Sequence, residues 1–409
     1  MSKTSKLYDS HPYETEFEAT ILSAEPVKKS WEIVLDQTLF FPEEGGQSAD
    51  TGYLEPLADQ KEGMSAWLVT DVQIRGDVIY HMVSVPKEMR PEAGMKVSGK
   101  INWERRFSNM QNHTGEHILS GLIHAKYGFD NVGFHLSDHI VTFDQSGYLT
   151  PEQVKEIERK ANRIIWADMP VTAKYVAPED AKNRIYRSKI EIEGDVRLVT
   201  IGDEKDPIDV CACCAPHVAR TGEIGLIKIL RSEKYKGGTR LTILCGSRAL
   251  AEVSGQQEQI EKISHLLRAK QEEAFEAVSH LFEENAAQKE RLIRLQEEKI
   301  RRLAEEAVHA GNHVWVFTED LDPLPHRNLV NLLAERCDGY AGAFLQTGNS
   351  EYRFIIGSKS KDCREVAALL RERFGAKGGG KSEMVQGSVS AEKENIVSAL
   401  LAKILSGGA

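Results

Sequence analysis

At 409 residues and a net charge of −10, the chain has length for two to four domains and no overall basic excess. A nucleic-acid binder of this composition needs a local basic patch rather than a basic total. No apolar run approaches the roughly 18–20 residues that span a bilayer, and the opening MSKTSKLYDSHPYETEF lacks an apolar signal core, so a cytoplasmic protein with no membrane partner is expected.

Residues 1–100 read as short strands. FEATILSAEP, WEIVLDQTLFF and AWLVTDVQIRGDVIYHMV are rich in β-branched and aromatic residues, near-alternating and broken by turns, which predicts a small N-terminal β-barrel. Within it, FFPEEGGQSADTGYL places Gly45 and Gly46 at a tight bend where a backbone can approach a ligand, with Gln47 beside them. From Trp103 the period changes. Met110, Ile118, Leu122 and Ala125 fall at helical spacing and Gly128 ends the run. Strands, a second helix (PEQVKEIERKANRIIWADM) and further strands lead to CACCAPHVARTGEIGLIKIL, an α+β domain over residues 101–250.

Residues 256–310 contain no Pro or Gly, and Ile260, Leu267, Ala274 and Leu281 keep a seven-residue period. This predicts a long helix, of roughly 82 Å if unbroken, or a helical hairpin broken at Asn285, with homodimerisation through this segment or the C-terminal domain. Residues 311–409 alternate strands and helices. There GAKGGGKS, from Gly375, spells the phosphate-binding P-loop pattern. Its flanks are inverted: an amphipathic helix enters where a P-loop needs a strand, and a strand-like run follows. Nucleotide hydrolysis is not expected. Lys377-Gly378-Gly379-Gly380-Lys381 reads instead as an exposed turn whose cations and amides suit the phosphates of a polymer.

The strongest chemical signal is split. NHTGEH places His113 and His117 at i and i+4 on one helical face, able to grip a single ion. A hundred residues later, three of the six cysteines crowd into CACC and His217 follows. Such clustering points to a metal or to redox chemistry rather than a disulfide framework. Cys213, Cys214 and Cys211 are separated from His217 by three, two and five intervening residues, so spacing alone leaves the thiolate ligand open. Glu116 precedes His117 instead of following His113 as in H-E-x-x-H, about 200° away around the helix, so a metalloprotease is not expected.

Read together, these motifs resemble the alanyl-tRNA editing family, the free-standing AlaX proteins in their long form. NHTGEHIL is similar to the family's NHTATHLL, CCAPHVARTGEIG to CGGTHVxxTGEIG, FFPEEGGQSADTGYL to FYPEGGGQxxDxGxL, and KGGGKSEMVQG to the GGGGKPDMAQ of the C-terminal domain of alanyl-tRNA synthetase. That domain also accompanies DHH phosphoesterases. The resemblance covers nearly the whole chain in the family's order, with no room for the aminoacylation half. It implies one Zn²⁺ per chain on His113, His117, Cys213 and His217. It implies hydrolysis in trans of a wrong amino acid, serine before glycine, from tRNA for alanine. It assigns His135 to the substrate pocket, where Thr114 and Gln47 are the candidates for recognising the serine hydroxyl; Glu116, Gly45 and Gly46 border it. Lys234, Lys236 and Arg240, with Lys377 to Lys381, are the expected tRNA contacts. Cys214-Ala215-Pro216 replaces the family's small residues, and Glu116 its threonine. The rival expectations are an editing hydrolase for another mischarged tRNA and a non-catalytic, zinc-stabilised RNA-binding or adaptor protein.

Overall fold

A computed structural model describes residues 3–57, 66–189 and 194–406. Its contacts divide the chain into two units, Met1–Ile260 and Glu261–Ala409.

Unit 1 begins with the barrel expected from the alternating strands. β1 (Glu16–Val27), β2 (Ser30–Leu35), β3 (Gly52–Pro56), β4 (Trp67–Arg75), β5 (Val78–Ser84) and β6 (Lys96–Ile101) close in the order β1-β2-β5-β4-β3-β6, all pairs antiparallel. Alternate residues point inward and bury Ile33, Leu54, Trp67, Val69, Ile79 and Val97. Closure removes free sheet edges, so the insertion between β2 and β3, which carries the Gly45-Gly46 bend, projects from a rigid frame.

Helix α1 (Trp103–Tyr127) follows directly. The Asn102 side chain caps its start by accepting from Arg105 N–H, and Gly128, at φ 69°, ends it. Sixteen of its residues are buried, which accounts for its being apolar and polar by turns: the helix is enclosed, and its polar side chains face partners rather than water. Met110, Ile118, Leu119 and Ile123 join the core beneath a four-stranded antiparallel sheet. That sheet runs β12-β13-β8-β7 and comprises β7 (Asn131–Leu136), β8 (Val141–Gln145), β12 (Ile227–Tyr235) and β13 (Gly238–Cys245). Helix α2 (Pro151–Trp166) opens on a Thr150–Gln153 capping box. A second, three-stranded sheet, β9 (Val171–Val176), β10 (Val196–Asp203) and β11 (Asp206–Ala212), delivers the cysteine run. Arg106 of α1 and Asp50 of the barrel insertion are both fully buried and joined as an ion pair. Arg106 also donates to the Leu39 and Pro12 carbonyls, so the barrel and the helix are tied at one point.

Helix α3 (Gly246–Leu267) ends at Arg268, whose φ is 55°, and a 3₁₀ turn over Gln271–Glu273 precedes α4 (Ala274–Glu305). The expected break at Asn285 is therefore corrected: the helix runs through it. An exposed asparagine costs a helix only about 0.5–0.7 kcal/mol, which its neighbours absorb, whereas a left-handed residue ends a helix outright.

Unit 2 is a six-stranded mixed sheet. Its strands are β14 (Val308–Ala310), β15 (His313–Thr318), β16 (Ala341–Gly348), β17 (Glu351–Gly357), β18 (Lys377–Gly380) and β19 (Met384–Ser390), in the order β14-β15-β16-β17-β19-β18. Only β15 and β16 pair in parallel; helices α5 (Pro323–Glu335), α6 (Cys363–Phe374) and α7 (Lys393–Ser406) complete the unit. The glycine run is thus a strand and not the expected turn. Gly375 in the left-handed conformation stops α6, and Lys377–Gly380 then pairs with Val385–Ser388 at the sheet edge. Helix–strand–strand is not the strand–loop–helix of a P-loop.

Candidate metal centre

Helix α1 presents His113 and His117 one turn apart, and the loop leaving β11 brings Cys213 and His217 to them. One donor atom from each of the four lies within 4.8 Å of the other three. Cys213 Sγ stands 3.6 Å from His113 Nε2 and 3.4 Å from His217 Nε2. The cysteine loop is held from behind by Arg197, which donates to the Cys213 and Ala215 carbonyls at 2.9 Å each.

The outward-facing nitrogen of every imidazole meets a protein group. Gln47 Oε1 is 2.7 Å from His113 Nδ1, Thr114 Oγ1 is 3.0 Å from His217 Nδ1, and Asp209 Oδ2 is 3.4 Å from His117 Nδ1. The partners on Nδ1 of His113 and His217 turn their Nε2 atoms toward Cys213, as in histidines that ligate a metal, whereas His117 Nδ1 only stands near Asp209 and makes no hydrogen bond among the described residues. Arg187 holds Asp209 in turn by a two-pronged bond of 2.7 and 2.8 Å. Three imidazoles and a thiol within reach of one ion suit a tetrahedral, borderline-soft divalent cation.

The electrostatics follow from that packing. Burial pushes the Cys213 thiol up, but His113 and His217 outweigh it and hold the group well below the usual thiol range. Burial holds His217 down at about 3, against the pull of Cys213. Burial also works against a charge on His117, yet Cys211 and Asp209 raise it well above the ordinary histidine value. Asp209 is kept low by Arg187 and His117 despite its burial. The neighbouring Cys214 thiol goes the other way, raised by burial and by Cys213.

The Gly45-Gly46 bend closes over this cluster. Both glycines have positive φ, 62° and 84°. A Cβ on Gly46 would stand 2.4 Å from the Phe134 carbonyl oxygen, and one on Gly45 3.4 Å from Cys214 Sγ. Only glycine permits this approach, and it carries Gln47 to His113. Leu136 N–H donates to the Gly46 carbonyl at 2.7 Å, docking the bend on β7.

The other residues singled out in the sequence fall in different places. Glu116 is buried but points away from the four donors, accepting from Ser120 and from Asn131 Nδ2. His135 is exposed on β7, while the preceding residue, Phe134, faces the cluster with its ring 4.7 Å from that of His113. Alternation along a strand makes neighbours point oppositely, so the residue on the pocket side is Phe134. Arg240 is committed to Asp144 in a two-pronged bond and stacks over Tyr235 at 3.6 Å; Lys234 and Lys236 flank it at the tip of the β12–β13 hairpin, over Tyr148 and Tyr235. Lys377 to Lys381 are exposed along the edge strand, beside grooves of about 840 and 660 Å³ that both reach Arg327. Sequence reasoning missed Asp209, Arg187, Phe134 and the Asp50–Arg106 pair. Asp209 shares the β11 run with the cysteines, and Asp50 is the fixed Asp of the FFPEEGGQSADTGYL motif; Arg187, Phe134 and Arg106 carry no local signal.

Two family models match. "Threonyl and Alanyl tRNA synthetase second additional domain" covers residues 196–242, which include Cys213 and His217, and "tRNA synthetases class II (A)" covers residues 4–105. The Alanyl-tRNA editing protein AlaX-L of Pyrococcus horikoshii is 28% identical, with 98% of both chains aligned. The alanine–tRNA ligases of Pyrococcus abyssi and Caldivirga maquilingensis are 32% and 33% identical over 97% and 94% of this chain, which spans only 43% and 42% of their length. A solved C-Ala domain of Aquifex aeolicus alanyl-tRNA synthetase is 22% identical over 24% of this chain and 95% of its own, at a TM-score of 0.20, too low to bear on function. The chain is thus similar over nearly its whole length to an alanyl-tRNA editing protein of the AlaX type, and it spans less than half the length of the alanine–tRNA ligases it matches.

Proposed function

We propose that this protein hydrolyses, in trans, the ester that joins a wrong amino acid to the terminal ribose of tRNA for alanine, serine first and glycine second. The observation that carries this reading is the convergence of His113, His117, Cys213 and His217, each imidazole backed by a protein group, in a chain aligned end to end with an editing protein. One zinc ion is the cation that the donors suit. Bound there, it supplies Lewis acidity toward the ester carbonyl or a water made acidic toward a pKa of about 7.

The protein groups do the discriminating. A synthetase pocket separates alanine from serine or glycine by only ~1–3 kcal/mol. Here Gln47 spends its Oε1 on His113, and its buried Nε2 has no hydrogen-bond partner among the described residues. A serine hydroxyl would satisfy that donor, and alanine would leave it unpaired, at a cost of about 1–3 kcal/mol. Thr114 Oγ1 is committed to the Met110 carbonyl, His217 Nδ1 and the Val218 N–H, so it positions His217. The edge strand Lys377–Gly380 with Lys381, and Lys234 and Lys236 on the hairpin, supply cations and amides for tRNA phosphates. In this reading unit 2 is a DHH-associated domain. The protein acts in the cytoplasm, and half-exposed Leu281, Leu292 and Leu295 on α4 provide a coiled-coil-like seam for a homodimer.

A second reading has one observation in its favour: four protein donors fill a tetrahedral site, as in structural zinc. That makes the chain a zinc-stabilised RNA-binding protein without catalysis. Replacing both ligand histidines, His113→Ala with His117→Ala, separates the two. Zinc content and deacylation should vanish together; full activity in the double variant contradicts the proposal.

A further inference from the structure

We infer that Phe134 and Lys189 seat the terminal nucleoside of the polynucleotide, its base against the Phe134 ring and its phosphate on the Lys189 ammonium. This rests on the tRNA-ester reading above. An ester at the four-donor cluster brings the base of the same nucleotide within one nucleotide's breadth of His113. Phe134 is the aromatic residue there, its ring centroid 4.7 Å from that of His113. It packs against the unit 1 core on one side and is only half-buried, so part of its ring stays accessible. It is also rigidly placed: its carbonyl oxygen fills the space that a Cβ on Gly46 would need, and Gly46 in turn accepts from the next strand residue but one, Leu136. A fixed, partly exposed ring beside an otherwise polar site makes a stacking platform, which tolerates any base because every base has a π face.

Lys189 completes the pair. Its Nζ lies 5.4 Å from the Phe134 centroid, and the residue is exposed. The nearby Arg187 spends its guanidinium on Asp209, and the buried carboxylate of Glu116 is taken up by Ser120 and Asn131. The exposed ammonium beyond the ring thus stands within reach of the phosphate of a nucleotide stacked on it.

Binding of unacylated tRNA tests this without reading hydrolysis. Shortening the tRNA by its terminal nucleoside should weaken binding to the wild-type protein about tenfold. Phe134→Leu should bind full-length and shortened tRNA alike, with its zinc content unchanged as the check on folding. Lys189→Gln should lower the slope of log affinity against log salt by about 0.7. A Phe134→Leu protein that keeps the tenfold loss, or a wild type indifferent to the terminal nucleoside, overturns the seat. Should Phe134→Leu fail to fold, the exposed Lys189→Gln variant decides, and an unchanged salt slope overturns it. A protein that passes these tests yet cleaves no ester keeps the seat and loses the hydrolase reading.

Discussion

The molecule has two glycine-rich stretches, and they differ in what the missing side chains allow. At Gly45-Gly46 the backbone is bent through positive φ and pressed against Phe134 and Cys214, and the bend delivers Gln47 to His113 of the four-donor cluster. At Gly378–Gly380 the run is an exposed edge strand in which a Cβ on Gly378 would stand 2.2 Å from the Gln386 carbonyl oxygen and one on Gly380 2.3 Å from that of Met384, while a Cβ on Gly379 meets nothing within 4 Å. The first stretch builds a site by letting protein approach protein. The second lets one strand lie close on its neighbour at Gly378 and Gly380 and leaves Gly379 facing open space at the sheet edge. The first run is pressed on at both glycines and the second at two of three, so Gly46 and Gly379 are the sharp contrast.

Breaking the frame under the first stretch should have the largest effect. Asp50 ends the bend and holds both Arg106 and the Phe41 N–H. Asp50→Asn leaves a buried guanidinium without its countercharge and should cost about 3–5 kcal/mol in urea unfolding. Arg106→Met together with Asp50→Leu should recover most of that, since it is the orphaned charge that is expensive.

Acid should act on the same frame. His81 is fully buried between Thr38 and the Ile33 carbonyl, and burial lowers it to about 4 from 6.5. Above pH 6.5 neither folded nor unfolded chain holds the proton, and the group is neutral toward stability. As pH falls below 6.5 only the unfolded chain takes it up, so stability drops by about 1.4 kcal/mol per unit, toward about 3 kcal/mol near pH 4. Urea midpoints at pH 7, 5.5 and 4 check this, and His81→Gln should flatten that part of the slope.

The two glycines themselves give the sharpest contrast. Gly46→Ala combines a disfavoured φ with a backbone collision and should cost about 2–3 kcal/mol. It should also pull Gln47 from His113 and slow deacylation. Gly379→Ala should change stability by less than about 1 kcal/mol, and any effect should appear in tRNA affinity alone. Equal losses in both variants would erase the distinction.

Much of this was legible in the sequence, and the limits have physical causes. Alternation gave the barrel because each strand has one buried face. His113 and His117 were legible because helical spacing is local. The Cys213–His217 loop was placed by motif, but only the fold shows that its histidine borrows Thr114. Asn285 misled because a weak helix former was weighed without its neighbours. His135 is exposed on β7, and whether a strand residue faces in or out depends on register, which nothing local specifies once a chain enters a sheet. Asp50 and Arg106 lie far apart in sequence, and pairing of that kind is written only in three dimensions.

The central claim is hydrolysis at the four-donor site with serine chosen over alanine. Its most direct test is the time course of deacylation of seryl- and alanyl-esters, both on tRNA for alanine, by purified protein with its zinc quantified. The account predicts rapid loss of serine with alanine spared, at one zinc per chain. Neither ester cleaved at full zinc occupancy, or both cleaved alike, would contradict it.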